Sequence, residues 1–147
     1  MTDRAYPTRP HVGVLAVVRR GERLLLVERS KPPRPGVWAF PGGAQELGET
    51  LFETAVRELA EETGVRARPR DILTVLDFIG RDEAGRVSHH WALVAVRLDW
   101  ESGEGVPLDE AFAVEWLTLA AIEAATRPFL PNVAKVARLA LGDGSGD

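Results

Sequence analysis

Three glutamates, Glu58, Glu61 and Glu62, stand three and four residues apart in the segment Arg57-Glu58-Leu59-Ala60-Glu61-Glu62. On a helix that spacing projects their carboxylates from one face. Like charges so placed destabilise an isolated helix by about 0.2–0.5 kcal/mol per pair, so they call for solvent or for a cation between them. The 147-residue chain has no cysteine and no histidine pair close to this row, so the available donors are oxygens. Such a set selects magnesium or manganese over zinc or copper. An acidic, solvent-facing helix is the competing reading of the row taken alone, and the residues around it decide between the two.

The row needs a helix, and the sequence supplies one from Thr50 to Thr63. Thr50 with Glu53 three residues on makes a capping box, Leu51, Val56, Leu59 and Ala60 supply an apolar stripe, and Gly64 stops the helix. Before it, His11 to Val18 and Arg23 to Val27 are apolar runs around Arg-Arg-Gly-Glu, which predicts a hairpin. Ser30 to Gly36 is a loop, since its prolines lack amide donors. Val37 to Phe40 reads as a short strand and Pro41-Gly42-Gly43 as a bend. Beyond the helix, Ile72 to Ile79 and Ser88 to Leu98 form a second hairpin about Asp82 to Gly85. Ala113 to Leu117 is a further strand, Leu119 to Ala125 a short helix and Pro131 to Leu141 a closing one. Hairpins mixed with isolated helices predict an α/β (α+β) fold, a mixed β-sheet sandwiched between helices. Met1 to Pro10 is a leader, residues 11–142 one domain and residues 143–147 a tail.

From Gly43 to Val65 the chain reads GAQELGETLFETAVRELAEETGV. This resembles the Nudix box, G-x5-E-x7-R-E-U-x-E-E-x-G-U with U aliphatic, at every position: Gly43, Glu49, Arg57, Glu58, Leu59, Glu61, Glu62, Gly64 and Val65. The resemblance extends from His11 to Leu141, through the Trp38-Ala39-Phe40-Pro41-Gly42-Gly43 approach and the Glu115-Trp116-Leu117 element. It implies the Nudix fold with its loop-helix-loop catalytic motif. It also implies a magnesium-dependent hydrolase, manganese substituting, that cuts a diphosphate linkage in a small nucleotide-type substrate. By that resemblance the Gly43 carbonyl, Glu58, Glu61 and Glu62 ligate metal, with Glu58 either ligand or base, while Arg57 pairs with Glu49 and ties the loop to the helix. Gly42 and Gly43 leave room for the backbone to turn and approach metal or phosphate. Glu46 and Glu53 fall outside the motif and read as a surface carboxylate and a helix cap.

The box does not name the base that activates water. Glu110, in the Asp109-Glu110 loop before Glu115-Trp116, is the candidate, with Glu61 and Glu58 as further catalytic carboxylates. Glu115 can instead serve as an ion-pair partner. His89 and His90 are less suited, because alternation sends them to opposite faces of a strand. For the substrate, Arg29 to Trp38 followed by the box and EAFAVEW resembles the ADP-ribose pyrophosphatase-like branch, although a proline marking many ADP-ribose hydrolases is missing where Ile79-Gly80-Arg81 stands. Arg29 and Arg34 can hold phosphate. Trp38, Phe78 and Trp91 either stack on a base or belong to the core. Phe129-Leu130-Pro131-Asn132 resembles the C-terminal region of MutT-like triphosphate pyrophosphohydrolases, where an asparagine reads the base; Asn132 directly before an apolar helix is also placed to be an N-cap. A nucleotide-sensing module is the non-catalytic alternative, and the intact carboxylate set argues against it.

Composition bounds the rest. With 45% hydrophobic residues and a net charge of -4, the chain can bury a core and is a poor match for a nucleic-acid polymer, whose binders carry a basic face. Charge is uneven: Arg4, Arg9, Arg19, Arg20, Arg23, Arg29, Lys31 and Arg34 precede Phe40, and acids dominate from Glu46 to Glu62. Basic and acidic segments meeting in one cleft would suit an anion bridged to a cation. No apolar stretch approaches the roughly 20 residues that span a bilayer, so a cytoplasmic protein without a membrane partner is expected. Many relatives form homodimers.

Overall fold

A computed structural model describes residues 4–30, 34–109 and 111–142. Lys31 and the prolines after it, Glu110 and the expected tail 143–147 lie outside the described residues. The chain runs β1 (His11–Arg20), β2 (Arg23–Glu28), β3 (Trp38–Ala39), β4 (Gly42–Ala44), α1 (Leu51–Thr63), β5 (Arg66–Arg81), β6 (Val87–Ser102), β7 (Ala113–Thr118), α2 (Leu119–Glu123) and α3 (Val133–Leu141). Among these residues the strands form one seven-stranded mixed sheet of order β3-β2-β1-β6-β5, with β4 also on β1 and β7 also on β2.

Strand periodicity explains why both faces carry helices. In β1, Val14, Ala16 and Val18 point to one side and Val17 to the other, as alternate side chains must. The first set meets Leu25, Val94, Val96 and Leu98 beneath Ala55 and Leu59 of α1. The second set joins Leu24, Leu26, Trp38, Phe40 and Ala95 beneath Val133, Val136, Ala137 and Ala140 of α3. The sheet is thus held between α1 and the α2–α3 pair, as the pattern predicts.

Two local expectations need correction. Gly42 to Ala44 is a strand rather than a bend, paired antiparallel with Gly13 to Leu15. Glycine has little strand preference of its own, and the edge of β1 imposes the conformation. β5 begins at Arg66, ahead of Ile72, because β6 continues to Ser102 opposite it. The described part of the leader, residues 4–10, has no regular element, and the Tyr6 amide donates to the Ser88 carbonyl (2.7 Å) and its hydroxyl to Asp82 (2.9 Å), fastening it to the β5–β6 hairpin.

Candidate active site

The site is assembled where α1 crosses β4. Thr50 caps α1 through the full capping box, its hydroxyl accepting from the Glu53 amide (3.1 Å) and its amide donating to Glu53 (2.8 Å). Glu53 is therefore the cap residue expected. At the other end Gly64 takes the left-handed conformation, φ 74°, which a side chain would disfavour. The helix buries Thr54, Ala55, Leu59 and Thr63 against the sheet. That orientation points Glu58 and Glu62, one turn apart, toward β4.

There the two glycines matter for different reasons. The Gly42 amide donates to Glu62 Oε2 (3.1 Å). A Cβ on Gly43 would overlap the Glu58 carboxyl, lying 2.5 Å from its carbon and 2.8 Å from Oε1. The bare backbone is thus the cradle of Glu58. Burial, then the hydrogen bond and charge of Glu58, pushes the Glu62 carboxyl well above the ordinary carboxylate range. Glu58 is raised as well, chiefly by burial. Two buried carboxyls that face one another are held together only by a proton or a cation.

Glu61 does not join them. Its side chain is turned outward, and its carboxylate accepts from Arg57 (3.2 Å). Among the described residues no three acidic or histidine side chains stand together as a ready metal cluster. The sequence expectation of one carboxylate face therefore becomes a buried pair with an exposed third member beside it.

Arg57 links the loop to the helix. It donates to both oxygens of Glu49 (2.5 and 2.9 Å), to Glu58 (3.0 Å) and to the Ala44 carbonyl (3.2 Å). Glu49 also accepts from the Glu46 amide (3.0 Å) and the Thr54 hydroxyl (2.9 Å). Hydrogen bonding to Arg57 first, then to the Glu46 backbone, holds the Glu49 carboxyl down at about 2. A carboxylate depressed in the folded state contributes stability above its unfolded pKa, near 4.3, and loses it as pH falls through the folded value. Urea unfolding of the protein and of Glu49→Gln should therefore differ by about 1–3 kcal/mol at pH 6 and converge toward pH 2. A gap that persists unchanged at pH 2 contradicts this.

Two neighbours complete the acidic end. The segment before β7 closes over the C-terminus of α1, Val106 and Leu108 amides donating to the Thr63 and Glu62 carbonyls (both 2.9 Å). It carries Asp109, at φ 48°, whose charge acts on Glu62. Asp109 is the acidic neighbour that sequence reasoning passed over for Glu110; its signal was the Asp-Glu pair itself. Glu110 lies outside the described residues. Opposite in charge, Arg29 feels both Glu62 and Arg34, and its Nε is buried without a hydrogen-bond partner. Burial lowers its pKa. Arg34 is exposed.

Other candidates are placed elsewhere. Trp38 is a core residue, 8% exposed, with Arg127 stacked over its ring (4.8 Å), so neither face is open for a base. Glu115 pairs with that same Arg127 (2.5 Å), its ion-pair reading. His89 and His90 lie on the part of β6 that runs past the end of β1. Asn132 occupies the N-cap position of α3 in the left-handed conformation with no side-chain cap bond, so it does not cap as a side chain. Asn132 lines a cleft of about 760 Å³ with Arg127, Phe129, Leu130 and Arg138, and none of the box carboxylates lines that cleft.

The sequence pattern that defines the NUDIX domain matches residues 7–138. The chain belongs to the NUDIX domain family. An ADP-ribose pyrophosphatase of Methanocaldococcus jannaschii is 34% identical over 110 residues, 75% of this chain and 63% of that protein. The chain thus spans less than two thirds of that relative's length. Among solved structures, a MutT NUDIX hydrolase from Burkholderia pseudomallei is 27% identical with TM-score 0.76, covering 89% of this chain and 98% of that one. A bifunctional NMN adenylyltransferase/ADP ribose pyrophosphatase from Francisella tularensis, complexed with AMP and a manganese ion, is 25% identical with TM-score 0.67, over 92% of this chain and 42% of its own. Both structures share the fold described above. No described helix is long and apolar enough to cross a membrane.

Proposed function

We propose that this NUDIX protein hydrolyses the diphosphate linkage of a nucleoside diphosphate derivative, of the ADP-ribose or nucleotide-sugar type, in a magnesium-dependent reaction. The observation that carries the reading is the buried Glu58–Glu62 pair packed on the bare backbone of Gly42 and Gly43. Two carboxyls so placed are an all-oxygen donor set whose charge is offset in part by Arg57 on Glu58 and Arg29 near Glu62, which fits Mg²⁺ or Mn²⁺. Glu58, Glu62 and the Gly43 carbonyl would hold the ion, with Glu61 released from Arg57. Bound there, it would neutralise phosphate oxygens and acidify a water.

The chain's own residues do the remainder. Arg29, with a buried unused donor beside Glu62, can offer it to a phosphate oxygen, and Arg34 adds charge at the rim. Glu58 or Glu110 takes the proton of the attacking water, and Asp109 keeps the adjacent field negative so that the carboxylate remains a competent base. Arg57 and Glu49 hold the loop in place throughout. The name of the Methanocaldococcus jannaschii relative supports the ADP-ribose class. A MutT-like triphosphate pyrophosphohydrolase is favoured by one observation, that Asn132 makes no side-chain cap bond and lines a cleft.

Product analysis separates the two. Incubated with Mg²⁺ and either ADP-ribose, nucleotide sugars or nucleoside triphosphates, the protein should give a nucleoside monophosphate and a sugar phosphate from the first two, AMP and ribose phosphate from ADP-ribose. Monophosphate and pyrophosphate from triphosphates alone would transfer the assignment to the second. Saturable binding with no product would make the protein a sensor.

A further inference from the structure

Alternation along β1 and β6 puts Arg20 on the same face as Val18, and Trp100 on the same face as Leu98, both of them core residues beneath α1. Trp116 of β7 stands opposite Leu25 of that same cluster. The three side chains meet at the end of the sheet. The Arg20 guanidinium lies over the Trp100 ring, 3.9 Å from its centre, and 5.4 Å from that of Trp116, a favourable setting for a cation. Its two terminal nitrogens donate to both oxygens of Glu104 (2.9 and 3.1 Å).

The tryptophans hold the same stretch of chain. The Trp100 indole donates to the Gly103 carbonyl (2.7 Å) and the Trp116 indole to the Glu104 carbonyl (2.7 Å). Gly103 and Gly105 take φ 97° and 93°, which lets the chain turn between these anchors and the helix. From there residues 103–109 form a strap that reaches α1, where the Val106 and Leu108 amides satisfy the Thr63 and Glu62 carbonyls, groups that a helix end leaves unpaired. The apolar side chains of the strap contribute less, since Val106 and Leu108 are 52% and 41% exposed.

An isolated surface ion pair adds little to a fold. Arg20 differs in that a forked pair and two rings fix one guanidinium at once, and the strap it anchors ends on the backbone of Glu62. We propose that Arg20 is a positioning residue for the Glu58–Glu62 site: with Trp100, Trp116 and Glu104 it clamps the strap onto the end of α1 and so fixes the place of Glu62. The inference rests on the reading of Glu62 as a cation ligand, and Arg20 acts on that ligand through the strap.

Hydrogen exchange on the metal-free protein, Mn²⁺ titration and initial rates test it on the full chain. In Arg20→Ala, and equally in Glu104→Ala, the Val106 and Leu108 amides should exchange about tenfold or more faster. The amides of β1 should stay protected, which shows that both variants are folded. Mn²⁺ should bind about tenfold more weakly, and kcat on the substrate turned over should fall about tenfold with KM within about twofold of native. Arg20→Lys keeps the charge without the fork and should recover part of each loss. Arg68→Ala removes an exposed ion pair with Glu101 (3.3 Å) and should change none of the three readouts. Unchanged exchange at Val106 and Leu108 overturns the clamp, and faster exchange with unaltered Mn²⁺ affinity overturns the positioning role. Equal losses in Arg68→Ala and Arg20→Ala overturn both. A native protein that binds Mn²⁺ but turns over no substrate sinks the hydrolase reading alone, since exchange and Mn²⁺ affinity still decide the clamp. One that binds no Mn²⁺ overturns the inference together with that reading.

Discussion

Glu62→Gln should cost about 10²–10⁴-fold in turnover and at the same time raise the melting temperature of the metal-free protein. The two effects share one cause. Glu62 is buried, hydrogen-bonded to the Gly42 amide and faces Glu58, so a negative charge there is expensive in the absence of a cation. Glutamine keeps an oxygen for the Gly42 amide and removes the charge. A gain of about 1 kcal/mol corresponds to about 2–4 °C in a domain of this size. Adding Mg²⁺ or Mn²⁺ should then raise the melting temperature of the native protein more than that of the variant, since only the former presents both carboxylates. Glu61→Gln provides the contrast: Glu61 is exposed on Arg57, so activity should fall with the metal-free stability nearly unchanged. Full turnover in Glu62→Gln would remove the basis of the proposed reaction. Lowered thermal stability would show instead that the buried pair is not under electrostatic stress.

The second large effect distinguishes two adjacent glycines. A Cβ on Gly42 would overlap the Val14 carbonyl oxygen and stand 3.1 Å from its carbon, and backbone in the middle of β1 cannot give way. Gly42→Ala should therefore cost about 2–4 kcal/mol of stability by forcing β4 off β1. A Cβ on Gly43 meets the end of a flexible side chain, Glu58. Gly43→Ala should leave the protein folded, within about 1 kcal/mol of native stability, while moving Glu58 by enough to cost roughly 10²-fold in turnover. Denaturant melts and initial rates on the two variants decide the matter: the reverse pattern, or two variants that behave alike, would show that the cradle was misread.

Much of this was legible in the residues alone. The α1 boundaries, its capping box and its glycine stop follow from local chemistry, because caps and turns are built from neighbours in sequence. The match of Glu49, Arg57, Glu58, Glu61 and Glu62 to the Nudix box implied metal-assisted phosphoryl chemistry and the Arg57–Glu49 tie, which their spacing alone did not. Apolar alternation was enough to expect a sheet with a helix on each face. Each of these is a repeat of two, or of three to four residues, and such repeats survive without tertiary context.

Other features depended on which segments meet. Only the parallel pairing of β1 with β6 and the folding of β4 onto β1 decide that Gly43 lies under Glu58. The sequence left Trp38 as either a stacking platform or a core residue; it is core, and Arg127, almost ninety positions later, covers its ring. Asp109 reaches Glu62 because the chain after β6 folds back over the end of α1. Glu61 and Glu62 are adjacent in sequence and alike in type, yet one faces water and the other is buried, since the helix must present Leu59 and Ala55 to the sheet and only one flank of that stripe reaches β4. Sequence determined which groups the protein owns and their local geometry. Tertiary structure alone decided which of them lose their water, and desolvation is what turns a row of acids into a site.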